Sequence, residues 1–278
     1  MPNLEWVRHP ELRQPVALLA FAGWGDAGDA STDAARHLIA SLEGDAFARI
    51  DPDEFYDFQT RRPEVEMTEA GVRAIHWPRN EFHALHHPEG DLVVVLGEEP
   101  HFRWQAFGAA ILEVLQALGV ERALLLGAFL GQVPHTVQVP LVGSSPDPLL
   151  LAENGVSASR YEGPTGIVGS LTHQLAELGI STMSVWAAVP HYLSNQPNPP
   201  AIYALVRKAM SILGIQIDTS DLAASAAEFR LNVDAVISAN EELSQYVKKL
   251  ETVIDQEDIR QDPGADLVDE IERFLRDS

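Results

Sequence analysis

Carboxylates and histidines able to do acid–base chemistry gather in four short stretches of this sequence. Residues 23–29 hold Asp26 and Asp29, and residues 97–103 hold Glu98, Glu99, His101 and Arg103. Residues 127–136 hold Gly127 and His135, and residues 190–199 hold His191 and Asn195. This mixture suits general acid–base work or metal ligation. The spacing within each stretch is not that of metal ligands: there is no H-E-x-x-H and no E-x-x-H pair placed on a helix, so no metal is expected. Ser144 and Ser145 follow His135 closely, but the G-x-S-x-G elbow of a serine hydrolase is missing. Phosphate would need basic side chains or backbone nests, and Arg103 is the only base in these four stretches. There is no G-x-G-x-x-G and no G-x-x-x-x-G-K-[ST], so no cofactor is expected. Trp24 and Trp104 are placed to form an apolar wall beside the polar residues. No catalytic set is complete.

What must position these residues is a series of buried strands. The run 123–126 is apolar, and Gly127 and Gly131 are expected to end it in a loop that carries His135. Val16 to Ala22, Leu92 to Leu96 and Thr182 to Val189 read as strands of the same kind. Helices are expected over Ala30 to Leu42, Trp104 to Leu118, Ile167 to Leu178 and Ala201 to Leu213, with Asp29 or Ser31 capping the first. Phe47 to Ile50, Phe55 to Thr60, Val72 to Trp77 and Val137 to Val142 read as further strands, Glu66 to Gly71 as a polar turn and Asn80 to Glu89 as a loop. Alternation of strand and helix over about 215 residues predicts one α/β domain, residues 1–217, with its four polar loops at one sheet edge.

The remainder, residues 218–278, reads as an acidic helical extension. It holds 16 acids and 6 bases. A short helix is expected over Ser220 to Phe229 and a long one from about Asn232 to Gln256. Val233, Val236, Asn240, Leu243, Val247, Leu250 and Ile254 follow the 3-4 spacing of a helix seam in the long one, with Asn240 placed to set register. Asp266 would cap a last helix bearing Leu267, Ile271, Phe274 and Leu275. The seam packs on its own domain, on another copy or on a partner.

Charge and composition narrow the function classes. The 278 residues carry a net charge of −22, which argues against nucleic acid and anionic membranes. There is no cysteine, hence no disulfide, thiolate zinc site or thiol nucleophile. The first residues lack a signal pattern and no apolar run reaches the length of a membrane span, so a cytoplasmic protein is expected.

Trp24-Gly25-Asp26-Ala27-Gly28-Asp29, Gly127 through Val133-Pro134-His135-Thr136, Tyr161-Glu162-Gly163-Pro164-Thr165-Gly166 and Trp186-Ala187-Ala188-Val189-Pro190-His191-Tyr192 stand in this order. Together they resemble the bacterial, actinobacterial-type branch of the proteasome assembly chaperone family, over about Val16 to Leu213. The tail resembles that branch's helical extension. The resemblance implies a mixed twisted sheet flanked by helices, similar to purine nucleoside phosphorylases, and a chaperone-like or scaffolding role. A non-enzymatic binding protein is therefore expected, with a protein partner in a proteasome-related assembly and a homo-oligomeric state, a trimer being one option. The sequence ends Arg276-Asp277-Ser278 and not in a hydrophobic-Tyr-any tail, so docking on a proteasome through that end is not expected. The ATP-grasp ligase label given to some members is not expected either, for want of a glycine loop with lysine and a magnesium-binding acid pair. The alternative is an enzyme for a nucleoside-like or other small polar ligand, using Asp26, Glu98, His135 or His191.

Overall fold

The strand Val16–Ala22 alternates between two packed layers. Ala17, Leu19 and Phe21 enter one, and Leu18 and Ala20 enter the other. A strand buried on both faces needs helices on both sides, and that requirement organises the chain. The computed structural model describes residues 4–68, 71–194 and 196–253.

In chain order the strands are β1 (Leu4–Trp6), β2 (Val16–Ala22), β3 (Asp45–Ile50), β4 (Glu64–Met67), β5 (Arg73–His76), β6 (Asn80–Leu85), β7 (Leu92–Glu98), β8 (Arg122–Gly131), β9 (Leu141–Ser144), β10 (Ser157–Ala158) and β11 (Ser181–Pro190). The helices are α1 (Ala30–Ser41), α2 (Trp104–Ala117), α3 (Pro148–Glu153), α4 (Ile167–Glu177), α5 (Pro199–Leu213), α6 (Ser220–Ser238) and α7 (Glu241–Val253). Nine strands form one mixed sheet in the order β1-β3-β6-β7-β2-β8-β11-β9-β10. Its centre, β7-β2-β8-β11, is parallel, and β3, β6 and β9 pair antiparallel at the flanks. Helices α2 and α4 cover one face through Phe107, Ile111, Val114, Leu171 and Leu175. Helices α1 and α5 cover the other through Leu38, Leu205 and Val206. Each such side chain removed from water contributes about 1.5–3 kcal/mol. Helix α6 packs on α5, and α7 on α6.

Several expectations are corrected. The segment 55–60 is not a strand: Phe55 and Tyr56 are buried in a turn closed by their amides on the Pro52 carbonyl. Residues 80–85 are not loop but strand β6, whose buried Asn80, Phe82 and Ala84 alternate with half-buried Glu81 and His83. The third strand of the edge, Leu4–Trp6, was not anticipated because three residues carry too little pattern. Gly127 does not end its strand, since β8 runs on to Gly131 in unbroken register with β11. The strand expected from Val137 begins only at Leu141.

The long helix over 232–256 is also corrected. It is two helices, broken at Ala239 and Asn240. Asn240 does not set a seam register: its Oδ1 accepts from the amides of Glu242 at 3.0 Å and Leu243 at 3.2 Å, capping α7. The stripe is divided accordingly. Val233, Val247 and Leu250 are buried, whereas Val236 and Leu243 are exposed. Ile254, Gln256 and the helix expected after Asp266 lie outside the described residues. No described helix is long and apolar enough to cross a membrane.

Candidate functional site

The loop after β2 is held by two carboxylates that do not belong to it in the same way. Asp26 is buried, and Oδ1 accepts from the Ser31 amide at 2.7 Å, the Ser31 hydroxyl at 2.6 Å and the Thr32 amide at 3.2 Å. Its Oδ2 accepts from the Thr32 hydroxyl at 2.5 Å. Burial pushes this carboxyl up, against the downward pull of Ser31 and Thr32. Asp26 therefore caps α1. Asp29, expected in that role, occupies the N-cap position in a left-handed conformation without a side-chain cap bond. Glu99 reaches in from the end of β7. One oxygen accepts from the Trp24 amide at 3.2 Å, and the other from Ile167, the first amide of α4, at 2.7 Å. Gly166 is required here, because a Cβ would lie 2.9 Å from the Glu99 oxygen and 3.1 Å from the Trp24 ring.

Trp24 stands between two clefts. The first, of about 730 Å³, is walled by Trp24, Trp186, Phe129 and Tyr161, with Asp26, Asp29 and the hydroxyls of Ser144, Ser159, Thr165 and Ser170. Trp186 lies across Gly127, where a Cβ would come within 2.4 Å of the ring. Gly127 is thus a bed for an indole and not a loop residue. The second cleft, of about 900 Å³, holds Arg36, Arg61, Arg79, His76, Glu98 and His101 with Trp77 and Trp104. Glu98 is gripped by the Arg61 guanidinium at 2.5 and 3.1 Å, which together with Glu64 raises the arginine further. The His101 Nδ1 accepts from the Asp57 amide at 2.9 Å. Burial pushes the Tyr56 phenol up, and its hydroxyl donates to the Glu98 carbonyl at 2.6 Å.

His135 and His191 reach neither cleft; they fasten the C-terminal helices to the sheet edge. The Tyr192 hydroxyl accepts from the His135 amide at 2.8 Å and lies 2.7 Å from His135 Nδ1. The His135 Nε2 faces Oδ1 of Asp234 on α6 at 3.0 Å. His191 places Nδ1 on the Gly131 carbonyl at 3.1 Å and Nε2 2.9 Å from the Tyr246 hydroxyl of α7. Thr136 donates to Glu251 at 2.6 Å. Burial pushes the Tyr192 phenol up to about 12.

Of the residues singled out by sequence, Trp24, Asp26 and Asp29 share the smaller cleft, and Glu98 and His101 share the larger with the other face of Trp24. Asn195 lies outside the described residues. Asp26, Glu98, His135 and His191 do not converge, so the acid–base set considered for an enzyme is not assembled. Ser145 donates to the Thr182 carbonyl and has no part in a serine–histidine pair. Trp186, Glu99 as a double acceptor, and the Tyr192–Tyr246–Asp234 contacts were missed as site residues. Among the described residues no three His, Cys, Asp or Glu cluster to hold a metal.

A nine-stranded mixed sheet between helix layers, with two clefts beside Trp24 and helices latched to the sheet edge, defines an α/β protein. Residues 20–237 match the model of the PAC2 family, and the chain belongs to that family. It is similar to a PAC2 family protein from Streptomyces avermitilis, with 40% identity, a TM-score of 0.78, and 84% of this chain and 99% of that one covered. It is similar also to a proteasome-assembly chaperone homologue from Mycobacterium tuberculosis, with 37% identity, a TM-score of 0.77, and coverage of 84% and 99%. An archaeal proteasome activator from Pyrococcus furiosus shares the fold at 19% identity and a TM-score of 0.67, covering 85% of this chain and 99% of that one. No curated protein matches the chain.

Proposed function

We propose that this chain is an assembly-chaperone-type binding protein, that its partner is a protein of a proteasome-related assembly, and that it works as a homo-oligomer. Family membership and the name of the Mycobacterium tuberculosis relative support the role. The observation that carries the oligomer is the hairpin β4–β5. It forms a two-stranded sheet of its own, and Val65, Met67, Val72, Ile75 and Trp77 are exposed on or beside it. An isolated two-stranded ribbon is marginal in water, so this one gains most from cover. Its charge points to a second copy. Residues 61–79 carry four arginines against three glutamates, on a chain of net charge −22. The acidic extension from residue 218 is the complementary face.

The test combines light scattering with capture. Wild type is expected to form a defined oligomer, and Val65→Glu with Ile75→Glu to shift it to monomer without change in the circular dichroism spectrum. Tagged full-length protein should recover proteasome subunits from its own cell lysate, and residues 1–217 should lose them. A monomeric wild type removes the oligomer reading; recovery of the protein alone removes the partner reading.

A further inference from the structure

We infer that the cleft of about 730 Å³ beside Trp24 is a binding site for a small organic cation. Its volume lies within the range of about 300–1,000 Å³ usual for small-molecule sites. The chemistry of its lining selects the charge. Asp26 and Asp29 line it with His173, and no lysine or arginine does among the described residues. The neighbouring cleft on the far side of Trp24 holds three arginines instead. There they stand with Glu81, Glu98 and Glu99, so that cleft carries both signs of charge.

Anions are disfavoured for a second reason. Two helices begin at this cleft, and helix N-termini attract negative ligands. Both are already occupied by the protein's own carboxylates: Asp26 takes the Ser31 and Thr32 amides of α1, and Glu99 takes the Ile167 amide of α4. A phosphate or carboxylate ligand would find spent donors and two negative neighbours. A cation would find the exposed Asp29 carboxylate and the faces of indole rings, which attract positive charge through their quadrupole.

The aromatic wall is open to such a ligand. Trp24 is 55% exposed, although its backbone is pinned to Glu99. Trp186 is bedded on Gly25 and Gly127, which no larger residue could replace without moving the ring. One ring is thus fixed and the other is free on one face. The hydroxyls of Ser144, Ser159, Thr165 and Ser170 add neutral polar contacts around them. The net charge of −22 enriches cations near the whole surface.

The full-length protein is titrated with benzyltrimethylammonium, benzyl alcohol and benzoate, followed by tryptophan fluorescence and ligand-observed magnetic resonance. The cation is expected to saturate with an affinity about tenfold above that of the alcohol, and benzoate not to saturate. Trp24→Ala should weaken the cation about tenfold and Asp29→Asn about threefold, with unchanged circular dichroism, since both side chains are exposed. Three results overturn the inference: the alcohol or benzoate matching the cation, cation binding unaltered in Trp24→Ala, or no saturation of the cation by about 10 mM.

Discussion

Replacing Gly127 by alanine tests whether the indole of Trp186 is held by the bare backbone beneath it. The added Cβ would lie 2.4 Å from Cε3 and 2.6 Å from Cδ2 and Cζ3 of the ring. Carbon atoms rest at about 3.5–4.0 Å, so the overlap exceeds an ångström. Gly127 sits inside the β8–β11 ladder, opposite Trp186 in register, and cannot retreat. The ring must move, and its N–H then leaves the Ser184 hydroxyl at 3.1 Å. Overpacking costs about 1–3 kcal/mol and the lost hydrogen bond about 1, so Gly127→Ala should destabilise by about 2–4 kcal/mol. In a chain of this size each kcal/mol lowers Tm by about 2–4 °C. The assay is urea and thermal unfolding of Gly127→Ala, Trp186→Ala, the double variant and wild type. Without the ring, the alanine should cost less than about 0.5 kcal/mol, leaving a coupling of at least 1.5. Gly131→Ala is the control, because its Cβ would meet Phe129 at 3.4 Å and Ala188 at 3.5 Å, ordinary contacts. An equal cost of Gly127→Ala in both backgrounds would refute the reasoning, since the penalty would then lie in the backbone.

Glu99→Ala should cost about 1–2 kcal/mol by freeing two amides, and speed hydrogen exchange at Trp24 and Ile167 together; unchanged protection at either amide would break the two-ended picture. His135→Ala should cost about 1–2 kcal/mol and loosen α6 and α7 selectively, seen as faster exchange and new proteolysis near Ala239. Equal loosening of β8 and β11 would count against the latch. For Asp26 the sign follows from its raised folded-state pKa: the folded protein binds that proton more tightly than the unfolded chain. Stability relative to Asp26→Asn should therefore increase as pH falls through that raised value toward the ordinary carboxylate range, and be lost as pH rises again. A flat or opposite difference in urea midpoints across that window would contradict the burial argument.

Much of the fold was legible because burial on both faces leaves continuous apolar runs. Val16–Ala22 was read to the residue, and the central strands Leu92–Glu98 and Ser181–Pro190 to within one or two positions. Patterns failed where side chains serve local geometry. Phe55, Tyr56 and Phe58 suggest a strand, yet the first two fill the core from a turn, and Phe58 packs edge-on to Trp77 at 4.8 Å. Asn80 and His83 suggest a loop, yet Asn80 is buried because its amide oxygen receives the Glu98 N–H across the sheet. The site was half legible. Position at strand ends found Trp24 and Asp26. It could not separate them from His135 and His191, because only the return of α6 and α7, whose contacts lie 99 and 55 residues further on, shows what those histidines meet. Glu99 resembles any solvated acid in sequence; its two partners lie 75 and 68 residues away.

The latch also fixes an order of assembly. His135 and His191 extend from the far ends of β8 and β11, which pair in parallel across a sequence gap of about sixty residues. Such a gap is closed late, because the chain loses loop entropy before the ladder rewards it. Until that pairing is made, His135 is not beside Tyr192 nor His191 beside the Gly131 carbonyl, and the polar latch to α6 and α7 cannot close. Closure of the latch onto Asp234 and Tyr246 is therefore a late event of folding, and a closed latch reports that the two central strands beneath it are paired.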